Sequence, residues 1–341
     1  MLINQWSVVM ILMALASVFL IVYVCINALL IRSKGEKYLN DDYKHGYIDK
    51  KIRFVFSAAL ICMIIKLMSY PLFYVSIQSF VKSLDTAMCM YGVISSMHGS
   101  VRYLEVVKPL VFFFAGGWII FHFLTRHSKD QTIIHKKILF LFFAAAWALT
   151  DSLGDLFLFL NMNPGANATC CSANIDVPGR ISHILSVYLF GLEYEKPLWV
   201  VYYLGNIMVV AAALYLVYNK TNLSRAKKTL VFVFCLCVIN FFISWLAFAE
   251  LIGPGLMKLP YHHCLYCLVQ YVPDAGFIIG LFFLGCLGPA WALTLCLIVT
   301  DTKTSGTLDI YLNRLYLCAA TCLGLSLLMV SIHILLGGLK T

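Results

Sequence analysis

The chain has 341 residues, of which 62% are hydrophobic and 12% are charged, and its formal net charge is +9. Soluble domains have about 45–50% apolar and about 25% charged residues, so the composition excludes an ordinary soluble protein. The positive charge does not indicate a nucleic acid partner, because the cationic residues lie in short connections between apolar segments, where they orient a membrane protein.

Eight apolar segments follow one another, each long enough to cross a hydrocarbon core of about 30 Å. The first is too long for a signal peptide and has no preceding basic residue and no small-residue cleavage site, so it is predicted to be a helix. The connections leave no room for a soluble domain. The sequence therefore predicts an all-α polytopic membrane protein, a bundle of about eight transmembrane helices with short loops, at residues 6–31, 53–81, 108–126, 138–160, 197–218, 229–253, 272–300 and 313–337.

Lysine and arginine are concentrated in the first, third, fifth and seventh connections. They are Arg32, Lys34, Lys37, Lys44, Lys50, Lys51 and Arg53, then Arg126, Lys129, Lys136 and Lys137, then Lys220, Arg225, Lys227 and Lys228, and finally Lys303 and Arg314. Because positive residues favour the cytoplasmic side, these connections are predicted to be cytoplasmic. We therefore expect a multi-pass protein of the cell membrane, in contact with the lipid bilayer and with both termini extracytoplasmic.

One apolar segment is too short to span the membrane. Residues 181–192 read ISHILSVYLFGL, about half the length that a spanning helix needs. Counting this segment as a span would also move the basic fifth connection to the outside. We therefore predict an interfacial or re-entrant element on the outer face.

The thirteen cysteines divide into two groups. Eight lie within predicted helices, where a thiol usually behaves as a small apolar group, namely Cys25, Cys62, Cys235, Cys237, Cys286, Cys296, Cys318 and Cys322. The other five all lie in connections predicted to be extracytoplasmic, namely Cys89, Cys170, Cys171, Cys264 and Cys267. Random placement over seven connections would seldom segregate five cysteines in this way, so the outer connections are where we expect chemistry.

The sixth connection combines imidazole and thiol groups within one turn of chain. His262 and His263 directly precede the CxxC motif of Cys264 and Cys267. Thiolates and imidazoles are ligands of zinc and copper, and CxxC is a common spacing for two thiolates on one ion. The sequence therefore predicts a copper or zinc site that includes this connection.

The second and fourth connections offer further metal ligands. Met88 and Met90 flank Cys89, and thiolate with thioether suits Cu(I) in particular. Cys170 and Cys171 are adjacent, and neighbouring side chains diverge in an extended chain, so only one of them is expected to be a ligand. We predict that the cysteines of the fourth and sixth connections converge on one site.

The same cysteines permit two other interpretations. An oxidising outer compartment favours structural disulfides, although five is an odd number. The arrangement also resembles that of quinone-linked disulfide-forming membrane enzymes and the vitamin K epoxide reductase family, which place a CxxC at an outer helix end and a second cysteine pair in an outer loop. This resemblance implies electron transfer to a quinone from Cys264 and Cys267 or from Cys170 and Cys171. Covalent haem is disfavoured, because Leu268 and not histidine follows the CxxC.

Three functions are therefore open. The leading one is an extracytoplasmic Cys/His site that handles copper or zinc for delivery, uptake or cofactor assembly. The alternatives are a quinone-linked thiol–disulfide oxidoreductase and a non-catalytic subunit of a larger redox complex, whose loops bind an extracytoplasmic protein or other membrane subunits. The sequence contains no phosphate-binding glycine loop, HExxH or nucleophile elbow, so it does not decide whether the chain is an enzyme.

Three ionisable residues lie inside predicted helices. Lys66 is near the middle of the second helix, and Asp151 and Asp155 lie in the fourth. Such residues are costly in a membrane, are usually paired and often mark functional sites. We predict that Lys66 pairs with one of the aspartates, either as a functional pair or as a static lock between two helices.

Small residues recur along the seventh predicted helix. Gly276 and Gly280 are four residues apart, and a pair with this spacing lets two helix backbones approach closely. The sequence therefore predicts a close helix contact at these two positions.

Overall fold

The computed structural model describes residues 4–35, 42–84, 87–126, 131–163, 167–219, 226–299 and 305–338. Within these ranges the structure is helical and contains no strand. The helices are α1 (Gln5–Gly35), α2 (Asp42–Ser79), α3 (Met90–Ser96), α4 (His98–Leu124), α5 (Gln131–Leu160), α6 (Cys171–Asn174), α7 (Ile181–Phe190), α8 (Glu195–Tyr218), α9 (Lys227–Ala247), α10 (Gly253–Met257), α11 (Leu265–Tyr271), α12 (Ala275–Ile298) and α13 (Ser305–Gly338). A π-helical turn over Phe248–Ile252 joins α9 to α10.

Eight of the described helices are long and apolar enough to cross a membrane, and they are α1, α2, α4, α5, α8, α9 with its extension to Met257, α12 and α13. Large apolar side chains also cover their outer faces, and Phe19 on α1 exposes 73% of its surface. A helix suits this environment because it satisfies every backbone hydrogen bond within one segment. The predicted all-α polytopic membrane bundle is confirmed, and these outer faces contact the lipid bilayer.

Some of the observed helices extend beyond the apolar segments that predicted them, whereas α12 (Ala275–Ile298) is shorter than the predicted 272–300. α4 begins at His98 and not near residue 108, and α5 begins at Gln131 and not near residue 138. Hydropathy locates the hydrocarbon core, whereas a helix continues into the polar interface as long as its backbone hydrogen bonds are made. The segment predicted to be interfacial or re-entrant contains the ten-residue helix α7.

The chain divides into two compact units. Unit 1 comprises Met1–Thr86 and Val93–Ala168. Its spanning helices form a four-helix bundle in which α1 packs on α2 and α5, and α4 packs on the same two helices. Unit 2 comprises Ala87–Gly92 and Thr169–Thr341. It is a second four-helix bundle, in which α8 and α12 each pack on α9 and α13.

A close approach of α12 to α13 involves two glycines. A Cβ on Gly285 would lie 2.6 Å from the side chain of Leu323, and a Cβ on Gly288 would lie 2.8 Å from that of Ala319. A Cβ on Gly280 would have no neighbour within 4 Å. The close helix contact therefore occurs about two turns beyond the predicted pair.

The orientation of the helices in the membrane stays a prediction, and five residues of the basic pattern lie outside the described residues, namely Lys37, Lys129, Lys220, Arg225 and Lys303. We expect reporters fused at residues 40 and 225 to read as cytoplasmic, because both positions lie in basic connections. Reporters fused within the fourth connection should read as extracytoplasmic. The opposite pattern would invert the assignment of every loop.

Candidate metal centre

Three connections of unit 2 bring four thiols together, which we call the thiol cluster. Cys89 precedes α3, Cys171 begins α6, Cys264 is the N-cap of α11 and Cys267 lies in the first turn of that helix. The four side chains pack together and each is at most 7% exposed. The fold therefore gathers cysteines from the second, fourth and sixth connections at one buried point.

Distances within the cluster suit a tetrahedral ion. The Sγ atom of Cys171 lies 3.8 Å from that of Cys267, 3.9 Å from that of Cys89 and 3.9 Å from Nε2 of His262. The donor atoms of Cys171, His262, Cys264 and Cys267 all lie within 4.8 Å of one another. Tetrahedral Zn–S bonds of about 2.3 Å place two sulfur atoms about 3.8 Å apart, so no pair would need to close by more than about 1 Å on binding.

The cysteines are thiols and not disulfides. All thirteen are free, and the sulfur atoms of the thiol cluster are separated by far more than a bonded pair, which requires about 2.05 Å. The interpretation of structural disulfides therefore gains no support from the structure.

Backbone N–H groups point at two sulfur atoms of the cluster. After Cys89 and after Cys264 the chain forms a tight turn, so that the backbone N–H groups two and three residues later reach the Sγ atom of that cysteine. The donors are Tyr91 and Gly92 for Cys89, and Tyr266 and Cys267 for Cys264. Hydrogen bonds of this kind favour the thiolate, which is the form that binds metal.

The four thiols cannot all ionise side by side without a cation. Hydrogen bonds with the Cys267 thiol lower the pKa of Cys89 to about 5 and lower the pKa of Cys264. The same hydrogen bonds raise the pKa of Cys267, and burial raises the pKa of Cys171 to about 12. A bound cation would supply the positive charge that these protons now provide, so metal binding should release protons.

A carboxylate orients the imidazole of His262. The Nδ1–H group of His262 donates to Oδ2 of Asp176 at 2.6 Å, and the backbone N–H of His263 donates to Oδ1 of the same carboxylate at 2.8 Å. Because the Nδ1 proton faces the carboxylate, Nε2 keeps a lone pair on the side of Cys171. Metal-binding histidines usually have such a carboxylate or carbonyl partner, which fixes the tautomer and the ring orientation.

His263 faces a different polar network. Its Nδ1–H donates to the carbonyl oxygen of Ala249 at 3.2 Å, and burial lowers the pKa of its imidazole. The guanidinium of Arg180 donates to both oxygens of Glu250, at 2.8 and 2.7 Å. Glu250 lies in the π-helical turn, a feature frequent at functional sites. This two-point contact anchors the segment that carries Asp176 to the helix bundle.

Three further predicted residues lie around the cluster. Cys170 is exposed, and its Sγ atom lies 4.0 Å from that of Cys171. Met88 is 86% exposed, whereas Met90 is buried and its backbone N–H donates to Oε1 of Gln270. Of the two thioethers predicted to favour Cu(I), that of Met88 is therefore turned outward and that of Met90 is buried, while the side chain of Met257, which was not predicted, packs against the four cysteines.

A second group of buried ionisable side chains lies within unit 1. Lys66 contacts Asp151 and its Nζ atom lies 3.8 Å from Oδ2 of Asp155. Lys108 Nζ lies 2.9 Å from Oδ1 of Asp151 and 2.8 Å from Oδ1 of Asp155. The four side chains, which we call the charge quartet, are at most 2% exposed, and Lys66 also donates to Ser152 at 3.1 Å. The two lysines and two aspartates of the quartet balance one another in formal charge.

Sequence reasoning missed Lys108 and Asp176. Lys108 lies at the predicted start of a helix, where a charge is ordinary, but in the structure it lies well inside α4. Asp176 belongs to no motif, and only its contact with His262 identifies it.

Comparison of the chain with protein-family models, with curated proteins and with solved structures found no match.

Proposed function

We propose that this membrane protein binds Zn²⁺ through Cys171, Cys264, Cys267 and His262, and that it handles this ion in metal delivery, uptake or cofactor assembly. The proposal is supported by one observation, the convergence of these four donor atoms within 4.8 Å. Three thiolates with one imidazole form a common zinc ligand set. By the positive-inside argument, the site lies on the extracytoplasmic side.

Zinc is favoured over copper by the number and spacing of the donors. A tetrahedral set of sulfur and nitrogen ligands is typical of zinc, whereas Cu(I) is selected by soft thiolate and thioether ligands. The side chain of Met88 is exposed, but that of Met257 packs against the four cysteines, so the preference for zinc rests on the imidazole and on the number of donors and not on a missing thioether. Cu(I) is the competing ion against which the proposal should be tested.

We expect the purified full-length protein to bind one zinc ion per chain, and the variant Cys264→Ser/Cys267→Ser to bind none. The reason is that two of four ligands are then lost. Because protons compete with metal for thiolate and imidazole, the apparent zinc affinity should rise as pH rises from about 6 to about 8. Metal analysis and zinc titration at each pH measure both effects.

Cys235→Ser is the matched control, since Cys235 is an exposed thiol on α9. It should bind zinc like the wild type. Full zinc occupancy in the double variant would place the ion elsewhere and contradict the proposal. If the protein binds Cu(I) more tightly than Zn²⁺ and Cu(I) displaces zinc at equal concentrations, the identity of the ion changes but the site does not.

A thiol–disulfide oxidoreductase is the second candidate, because exposed Cys170 lies 4.0 Å from Cys171, which lies 3.8 Å from Cys267. A surface thiol beside buried thiols could pass oxidising equivalents inward. In that function two thiols would form a disulfide while a quinone accepts two electrons and two protons. Counting free thiols before and after addition of a quinone, with metal analysis of the same sample, separates the candidates. Loss of two free thiols on addition of the quinone, in protein that contains no metal, favours the oxidoreductase.

A further inference from the structure

The thiol cluster together with His262 and Cys170 offers more donors than a four-coordinate ion can use. Its four thiols and the imidazole of His262 make five, and Cys170 at the surface makes six. A closed structural site needs four donors and gains nothing from additional ones. The surplus therefore indicates a function that a purely structural zinc site does not have.

Cys89 has the environment of a metal ligand although four other donors already suffice. Its side chain is 7% exposed, and its Sγ atom lies 3.9 Å from that of Cys171. Two backbone N–H groups and the Cys267 thiol donate to this sulfur. These are the same kinds of contact that Cys264 receives, so Cys89 lies in the surroundings of a ligand, buried and at ligand distance from Cys171.

Cys171 connects the buried donors with the protein surface. It lies 3.8 Å from Cys267 and 3.9 Å from Cys89 on its inner side, and 4.0 Å from exposed Cys170 on its outer side. Each separation is close to the distance of about 3.8 Å between two sulfur ligands of one zinc ion. A single ion can therefore bind each pair at once while it passes from one thiol to the next.

We propose, on the basis of the proposed zinc site, that the ion enters and leaves through Cys170, which exchanges it with a soluble thiol-bearing carrier. When Cys171 leaves the ion to bind or release it at Cys170, Cys89 takes the coordination position that Cys171 vacates. On entry, a bond forms between zinc and the Cys170 sulfur as a bond to a carrier thiolate breaks, and the Cys170 proton passes to the carrier. Cys171 then replaces Cys170 and gives its own proton to the Cys170 thiolate. Cys264 and Cys267 bind zinc as the remaining carrier–zinc bonds break, and their protons pass to the released carrier thiolates and to water. Zinc stays Zn²⁺ throughout, and no thiol is oxidised.

The physical reason is kinetic. A closed four-ligand site releases its ion slowly, because a metal–sulfur bond must break before another forms. Spare donors at ligand distance let each new bond form before the old one breaks. Cys170 supplies this donor at the surface and Cys89 supplies it inside, so both should affect the rate of transfer.

The test uses full-length protein in detergent, loaded with one equivalent of zinc and mixed with a metal-free CxxC peptide as the thiol-bearing probe. We expect Cys170→Ser to transfer zinc at least tenfold more slowly in both directions while its equilibrium dissociation constant stays within twofold of the wild type. Because a residue that acts only along the route does not affect the equilibrium, its substitution must change the rates of zinc uptake and zinc release by the same factor. Cys89→Ser should also slow transfer, and Cys235→Ser should match the wild type.

The outcomes separate this inference from the proposed function. Absorption spectra of the Co²⁺-loaded variants show whether each still assembles the site. A wild type that binds no zinc overturns the proposed function and this inference together. A zinc-binding wild type whose Cys170→Ser variant transfers zinc at the same rate overturns only the route. Loss of equilibrium affinity in Cys170→Ser would make Cys170 a permanent ligand and also overturn the route.

Discussion

Replacing Lys108 by methionine should lower the free energy of unfolding by about 3–5 kcal/mol, the usual cost of removing one partner from a buried ion pair. The substitution leaves two carboxylates with a single ammonium group in the interior of unit 1. Asp151 and Asp155 each lie within 3 Å of Lys108 Nζ and are at most 1% exposed. The loss is measured by denaturant unfolding of the full-length protein in detergent micelles.

Coupling between the charges gives the sharper test. Lys108→Met/Asp155→Asn restores a neutral cluster, so the double variant should be more stable than Lys108→Met alone. Lys82→Met, at an exposed lysine of the same unit, should change stability by less than about 0.5 kcal/mol. Additive losses from the two substitutions within the charge quartet would show that its members do not stabilise one another.

Removing zinc should lower the free energy of unfolding of the zinc-loaded protein by about 4 kcal/mol when free zinc is about 1,000 times its dissociation constant. Only the folded chain brings Cys171, Cys264 and Cys267 within reach of one ion, so binding stabilises the folded state alone. Thermal unfolding with and without a chelator measures the difference. An unchanged midpoint at saturating zinc would contradict binding at this cluster.

Asp176→Asn provides a graded version of the same experiment. The amide keeps the shape of the side chain but weakens the hydrogen bond that orients His262, and loss of such a partner typically costs about 10–100-fold in metal affinity. The variant should therefore need correspondingly more zinc to reach the stability of the wild type. Equal zinc affinity in wild type and variant would mean that His262 is not a ligand.

Hydropathy by itself determined the eight spans and the all-α class, because a segment of about 20 apolar residues has no stable alternative to a helix in lipid. The segregation of five cysteines was also visible in the sequence, since each cysteine could be assigned to a helix or a connection. These inferences need only local composition. They hold whichever helices pack against one another.

Contacts between distant residues required the tertiary structure. Cys170 and Cys171 are equivalent in sequence, and the start of α6 decides that Cys171 is buried in the cluster while Cys170 is exposed. Asp176 acquires its role only through the fold of the loop against His262. Neither Cys171 nor Asp176 lies at a sequence spacing that distinguishes it from an ordinary loop residue.

The helix packing decided the remaining points in the same way. Lys66 could be expected to pair with an aspartate, because an unpaired ammonium at that depth is costly. That Lys108 completes a neutral quartet depends on how α2, α4 and α5 are rotated about their axes, and the apolar composition of these helices does not specify that rotation. The same holds for the close contact at Gly285 and Gly288, because α12 contains four glycines and only the position of α13 selects between them.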